Sequence, residues 1–201
     1  MTDRDRERWN RRYVERYAER PYDFSPTRWL PEIADRLQPP HPAARALDLA
    51  CGPGRNAVWL AERGWRVDAW DISDRALAIL VYEREERASR GFPLEIDVRE
   101  IDLDTAAIPP DTYDLVLNLL FLDRQLWSQL AAALRPGGLL LFETFVNLPA
   151  GKRSEVNPAH LLQPGELRSA FEGLGLRTVS YDEDGERGTA RLIAQRSPRN
   201  K

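Results

Sequence analysis

Cysteine and methionine each occur once in the 201-residue chain, and of its 29 basic residues only Lys152 and Lys201 are lysine. A single cysteine, Cys51, excludes an internal disulfide framework and any metal site built from several cysteines. No apolar run approaches the roughly 18 residues of a membrane span, and the charged opening MTDRDRERW lacks the apolar stretch of a signal peptide. Charge of one sign is not in excess either. With 29 basic and 32 acidic residues the net charge is -3, which leaves no electrostatic footprint for nucleic acid. These absences lead to the expectation of a protein of a reducing compartment, cytoplasmic, with neither membrane nor nucleic acid as partner. What is present is ordinary for a globular chain: 42% hydrophobic and 30% charged residues. At this length roughly 70% of the unfolded surface can be buried, so no covalent staple is required.

Residues 2–20 carry dense charge of both signs and no Gly or Pro, and Trp9, Tyr13 and Tyr17 fall at i, i+4 and i+8. That spacing predicts one stripe of a helix, stopped at Pro21. TRWLPEIADRL at 27–37 predicts a second short helix, with Thr27 as a cap and Pro31 near its start. After the rigid PPHP at 39–42 the texture changes. ALDLA, WRVDAWD, LEIDVREID (94–102), YDLVLNLLF and LLLFETF read as five strands. Helical patterns alternate with them: NAVWLAERG, DRALAILVYEREERASRG and a stretch from about Arg124 to Leu134. Pro136-Gly137-Gly138 reads as a turn before the fifth strand. PGELRSAFEGLG is a further helix, and LRTVSYDEDG with GTARLIAQR a final pair of strands joined by a short turn. Alternating strands and helices predict a mostly parallel α/β sheet with helices on both faces, and the short last turn predicts an antiparallel hairpin. The chain is expected to be one domain, 1–201, with 1–40 as an N-terminal helical extension or lid.

The informative stretch is Asp48-Leu49-Ala50-Cys51-Gly52-Pro53-Gly54-Arg55-Asn56, between the first strand and its helix. Gly52 and Gly54 allow a ligand to approach the backbone, and the following helix start offers unpaired N–H groups. Asp71 ends the second strand, where a carboxylate can accept hydrogen bonds from both ribose hydroxyls of an adenosine-containing cofactor. Asp102 ends the third strand, beside the place for an adenine. Each acid has a bland alternative. Asp71 followed by Ser73, or Asp102 before its turn, is also a capping pattern. Cys51, inside the glycine turn, reads as a small apolar side chain.

These residues make the sequence resemble the class I S-adenosylmethionine-dependent methyltransferases. DLACGPG resembles their first motif, WDIS the ribose-binding position, REIDL the adenine-contacting one, Tyr113-Asp114-Leu115-Val116 the fourth-strand motif, and Leu134-Arg135-Pro136-Gly137-Gly138 the turn before strand five. Ala50 stands where the family usually has glycine. WNRRY, DLACGPGRNAVWLA, FLDR, LLLFETF and LLQPGELRSAF further resemble the small tellurite-resistance and thiol-methyltransferase group. The resemblance implies a Rossmann-like seven-stranded methyltransferase sheet and S-adenosyl-L-methionine as cofactor. It implies that Asp48, Ala50, Gly52, Gly54 and Asn56 surround the methionine portion, that Asp71 grips the ribose with Ile72 on the adenine, that Asp102 and Leu103 meet the adenine edge, and that Asn118 lies beneath the reacting methyl. Transfer from a sulfonium is an in-line displacement, so no catalytic triad and no metal is expected.

The acceptor is expected to be a small molecule, bound beyond strands four and five. Tyr13, Tyr17, Phe121, Arg124, Glu143 and Phe145 are candidates to line it, with Asn10, Arg11, Tyr22 and Trp29 as further tips and Arg153 as a further cation. The N-terminal helix and the loop 146–163 are candidates to close over it. Arg124 and His160 are the only candidate catalytic groups, and a loop histidine is the plainer account of His160. The chain is expected to work as a monomer or homodimer. Among rivals, a nucleotide-dependent oxidoreductase wants G-x-G-x-x-G, whereas residues 50–57 read A-C-G-P-G-R-N-A. A nucleic-acid or protein methyltransferase stays as an alternative, although N-L-L-F at 118–121 is not the N-P-P-Y type of amino-methylating DNA enzymes. A cofactor-binding sensor or scaffold without catalysis stays as another.

Overall fold

The structure, a computed structural model, describes residues 3–17, 21–147 and 160–198. Its seven strands make one mixed sheet in the order β3-β2-β1-β4-β5-β7-β6, with helices packed against it. The chain divides into two compact units, Met1–Ala106 and Ala107–Lys201.

The first unit opens with α1 (Asp3–Tyr17), in which Trp9 stacks with Tyr13 and Tyr13 with Tyr17. The helix expected over 27–37 is instead a 3-10 segment, Pro31–Leu37, broken at Ile33. Its start has no side-chain cap and only Leu37 is buried, so neither capping nor an apolar stripe favours a full α-helix. Thr27 is no cap. Its N–H donates to Asn56 Oδ1 (2.9 Å) and its hydroxyl accepts from Arg55 (3.1 Å).

Three parallel strands follow: β1 (Arg45–Leu49), β2 (Arg66–Asp71) and β3 (Ile96–Glu100). β1 and β2 are almost wholly buried, which is why they read as continuous apolar runs rather than as an alternation. The third strand is shorter than its sequence run, so Asp102 stands past its end. Between the strands lie α2 (Arg55–Ala61) and α3 (Asp74–Ser89). The latter has every local helix signal. Ser73 caps it by accepting the Ala76 N–H (3.1 Å), Asp74 opens it and Arg87 closes it, matching the helix dipole.

The second unit holds β4 (Tyr113–Leu119), α4 (Trp127–Ala133), β5 (Leu134–Phe145), α5 (Glu166–Gly173), β6 (Leu176–Asp184) and β7 (Thr189–Arg196). β4 and β5 are parallel, while β7 pairs antiparallel with both β5 and β6, giving the expected hairpin. Trp127, Phe142 and Phe171 meet as a ring cluster at its core. Pro136-Gly137-Gly138 does not precede the fifth strand but bulges within it: Tyr113 pairs with Leu134 and Leu115 with Leu139. Glycine is required at the return of this bulge. A Cβ on Gly138 would stand 2.9 Å from the Arg135 carbonyl oxygen and 3.1 Å from that of Tyr113.

Candidate functional site

The carboxyl ends of β1, β2 and β3 bring together the acids singled out in the sequence. Asp48, the fourth residue of β1, is 1% exposed, and its Oδ2 has no hydrogen-bond partner among the described residues. The Ala57 N–H, in the first turn of α2, hydrogen-bonds its carboxylate. Burial, reinforced by the negative charge of Asp71, pushes the Asp48 carboxyl up to about 7. A buried acceptor with an unused oxygen at the edge of the glycine turn is a demand for a cation or a hydrogen-bond donor.

Asp71 ends β2 and commits one contact from each oxygen to the turn beneath it. Its Oδ2 accepts the Gly52 N–H (2.7 Å) and its Oδ1 the Ser73 N–H (2.8 Å). Burial holds its carboxyl above the usual range, against the opposing pull of the backbone N–H groups of Ser73, Gly52 and Ile72. An ionised carboxylate has roughly four lone-pair sites, so capacity for further donors remains. The capping role and the ligand role are compatible in one side chain. Asp102 also caps: its Oδ1 accepts the Asp104 N–H (3.0 Å). Ile72 and Leu103 are buried beside these ends.

The turn differs from expectation in what fills the space at its glycines. A Cβ on Gly54 would come within 2.5 Å of Leu80 Cδ1, and one on Gly52 within 2.7 Å of the Tyr13 hydroxyl. Gly54 thus serves the approach of α3 to the turn. Ala50, at the position where resembling sequences carry glycine, has φ of 52°, a left-handed backbone. Asn56 is buried and occupied in holding Thr27.

Tyr13 is a candidate for the acceptor side by sequence, yet its hydroxyl stands over Gly52, and burial together with Asp71 and Tyr22 raises its pKa. Tyr17 stacks on Tyr13 and meets Tyr22 edge-on at 5.0 Å, and Tyr22 in turn meets Phe24 at 4.8 Å. Trp29 is buried rather than a tip. Asn10 and Ser73, which form part of this arrangement, carry only weak signals in the sequence: a polar residue one turn before Tyr13, and a serine two residues past a strand-ending aspartate.

The second unit places Asn118 near the end of β4, buried, with Nδ2 donating to the Phe121 carbonyl (3.3 Å) and Oδ1 without a partner among the described residues. Leu120 follows with φ of 64°, fixed by its N–H to the Glu143 carbonyl (2.6 Å). Nothing in the sequence marks that strained residue. Glu143 is buried, with Arg191 of β7 at 3.6 Å. Phe121 and Phe145 are half-buried. Arg124 forms a two-pronged pair with Glu166 (2.5 and 2.9 Å) and donates to the Leu161 carbonyl (2.9 Å), a geometry that ties together the chain around 161–166. His160 is exposed, and Arg153 with most of the loop 146–163 lies outside the described residues. Among the described residues no three His, Cys, Asp or Glu side chains cluster as a metal site, and no helix is long and apolar enough to cross a membrane.

The strand order, with its antiparallel last hairpin, is that of the Rossmann-like methyltransferase fold. Residues 46–138 match the family described as a methyltransferase domain. The chain is 34% identical over 108 residues to a malonyl-(acyl-carrier protein) O-methyltransferase of Salmonella typhimurium, covering 50% of this chain and 39% of that protein. It is 31% identical over 84 residues to TehB of Haemophilus influenzae, a probable S-adenosyl-L-methionine-dependent methyltransferase, covering 40% of this chain and 27% of that one. The chain therefore spans less than half the length of either relative. The crystal structure of TehB from Haemophilus influenzae superposes with a TM-score of 0.69 at 18% identity, over 94% of this chain and 67% of that one. That of the (4+2)-cyclase SpnF superposes with a TM-score of 0.72 at 14% identity, over 94% and 93%.

Proposed function

We propose that the protein is an S-adenosylmethionine-dependent methyltransferase acting on a small-molecule acceptor. The observation that carries this reading is the buried, unsatisfied Asp48 oxygen beside the glycine turn, with Asp71 at the next strand end. Two buried carboxylates whose ionisation burial opposes make a site that gains most from a cationic ligand. Asp48 is suited to the ammonium group of the cofactor, and the remaining lone pairs of Asp71 to the two ribose hydroxyls. Ile72 and Leu103 supply apolar surface to an adenine, and Asp102 an acceptor for its amino group. Bound, the cofactor supplies an activated methyl group on a positively charged sulfur. The chain's own part is to hold the reactants in line and exclude water, worth roughly 7–11 kcal/mol when alignment is complete. On the acceptor side Phe121, Glu143 and Phe145 of the second unit provide an apolar rim with one buried acid, and Asn118 offers its unpaired oxygen.

Calorimetry with S-adenosylmethionine and S-adenosylhomocysteine tests the binding half, and absence of binding by either would end this reading. Formation of S-adenosylhomocysteine across a panel of thiols, selenium and tellurium oxyanions, catechols and carboxylates tests transfer. A second reading, binding without methyl transfer, is favoured by the likeness to a protein described as a cyclase. Turnover with any acceptor removes it.

A further inference from the structure

The docking of α1 rests on one face of the helix. Arg6, Asn10 and Tyr13 lie at i, i+4 and i+7. In that order they reach Glu100 at the end of β3, Ser73 just past β2, and Gly52 just past β1. The helix thus crosses the carboxyl ends of the three parallel strands, the edge at which open α/β sheets bind ligands. No residue of the helix is fully buried, and Trp9, Tyr13 and Tyr17 are half-buried, so an apolar seam is not the whole account of its place. The middle contact is the most specific. Asn10 Oδ1 accepts the Ser73 hydroxyl (2.6 Å) while its Nδ2 donates to Asp74 Oδ1 (2.5 Å). Asn10 therefore holds Ser73, and Tyr13 overlies Gly52, and these two are the residues whose N–H groups fix the Asp71 carboxylate.

We propose that Asn10 is a positioning residue of the cofactor site: by docking α1 on Ser73 and Asp74 it holds the Tyr13 hydroxyl over Gly52, so that the cofactor enters and leaves only when α1 lifts. The inference rests on the reading of this edge as the cofactor site. It moves α1 from a cover for the acceptor to a strap across the cofactor, and it makes exchange of used for fresh cofactor depend on a polar latch.

The latch can be reversed, which supplies the test. Asn10→Asp keeps the acceptor for Ser73 but sets two carboxylates against each other. Adding Asp74→Asn restores the pair with donor and acceptor exchanged. Stopped-flow displacement of S-adenosylhomocysteine should show dissociation about tenfold faster in Asn10→Asp, from the loss of about one hydrogen bond, and recovery to within about threefold in the double variant. Trypsin gives a readout independent of cofactor, because Arg4, Arg8, Arg11, Arg12 and Arg16 lie along α1. Cleavage there should be faster in Asn10→Asp than in the wild type or the double variant, and in the wild type it should slow when S-adenosylhomocysteine is added. Equal dissociation rates and equal cleavage in all three proteins would overturn the latch while leaving the cofactor site in place. Failure of the wild type itself to bind would overturn the site reading and the strap with it, and is distinguished by being visible before any substitution.

Discussion

Replacing Asp48 by asparagine separates what this carboxylate costs the fold from what it contributes to binding. Burial raises its carboxyl from an ordinary 3.8 to about 7, so the folded state holds the proton more tightly than the unfolded chain does. The sign follows from that difference. Below about pH 4 both states are protonated and Asp48 costs nothing. Between about pH 4 and pH 7 the unfolded chain ionises first, and stability falls. Above about pH 7 the loss is complete, at about 4 kcal/mol for a carboxyl raised that far. An amide at this position has no such dependence. Urea denaturation should therefore find Asp48→Asn more stable than the wild type by up to about 4 kcal/mol at pH 8, with the advantage gone by about pH 4. Binding should move the other way. A cationic group beside Asp48 favours the ionised form, so cofactor uptake at pH 6 should release a proton. Calorimetry in buffers of different ionisation enthalpy reads that proton directly. The variant should release none through this group and should bind more weakly at pH 7.5. Equal stability of the two proteins at pH 8, together with no buffer dependence at pH 6, would refute the account of Asp48 as a strained acid awaiting a cation.

Asp71→Ala should reduce affinity for S-adenosylmethionine by about 2–4 kcal/mol through loss of two ligand hydrogen bonds, measured by calorimetry; unchanged affinity would remove Asp71 from the ribose. Ala50→Gly should stabilise the protein by up to about 1 kcal/mol, because relief of the left-handed backbone at φ 52° outweighs the added chain entropy. Thermal denaturation checks it, and a lower midpoint would show that the Ala50 methyl makes a contact worth more than its strain. Gly54→Ala should destabilise by about 1–3 kcal/mol more than Gly91→Ala, since both glycines have positive φ but only Gly54 has Leu80 in the way. Urea denaturation of the two variants side by side measures the difference.

The sequence carried the order of elements because β1 and β2 are buried strands with short, well-marked helices between them, and because Ser73 and Asp74 start α3 with side-chain chemistry visible in the letters. The three acids were legible for the same reason: a charged residue closing an apolar run has few reasons to be there. Legibility failed where tertiary contact decides. Leu80 filling the space at Gly54 pairs residues on two different elements, and no local pattern announces it. The bulge at Pro136-Gly137-Gly138 has the composition of a turn, and only the resumption of pairing at Leu139 makes it part of β5. Arg124 looks like a free cation in the sequence, whereas Glu166, 42 positions later, holds it. The aromatic stripe of α1 is visible, but its destination over Gly52 is not, because a stripe gives a face and not an address.

The path of α1 across three strand ends also sets a time order for folding. Arg6 meets a partner 94 positions away and Asn10 one 63 positions away, so α1, made before every strand it touches, is among the last elements to find its seat. Contacts that span so much chain form only after the intervening loop has been closed by something else, here the pairing of β1, β2 and β3. A segment that docks late, largely on polar contacts and with no fully buried side chain, opens at a cost well below global unfolding. Amide exchange in α1 should accordingly report a local equilibrium of its own, distinct from that of the strands it lies across.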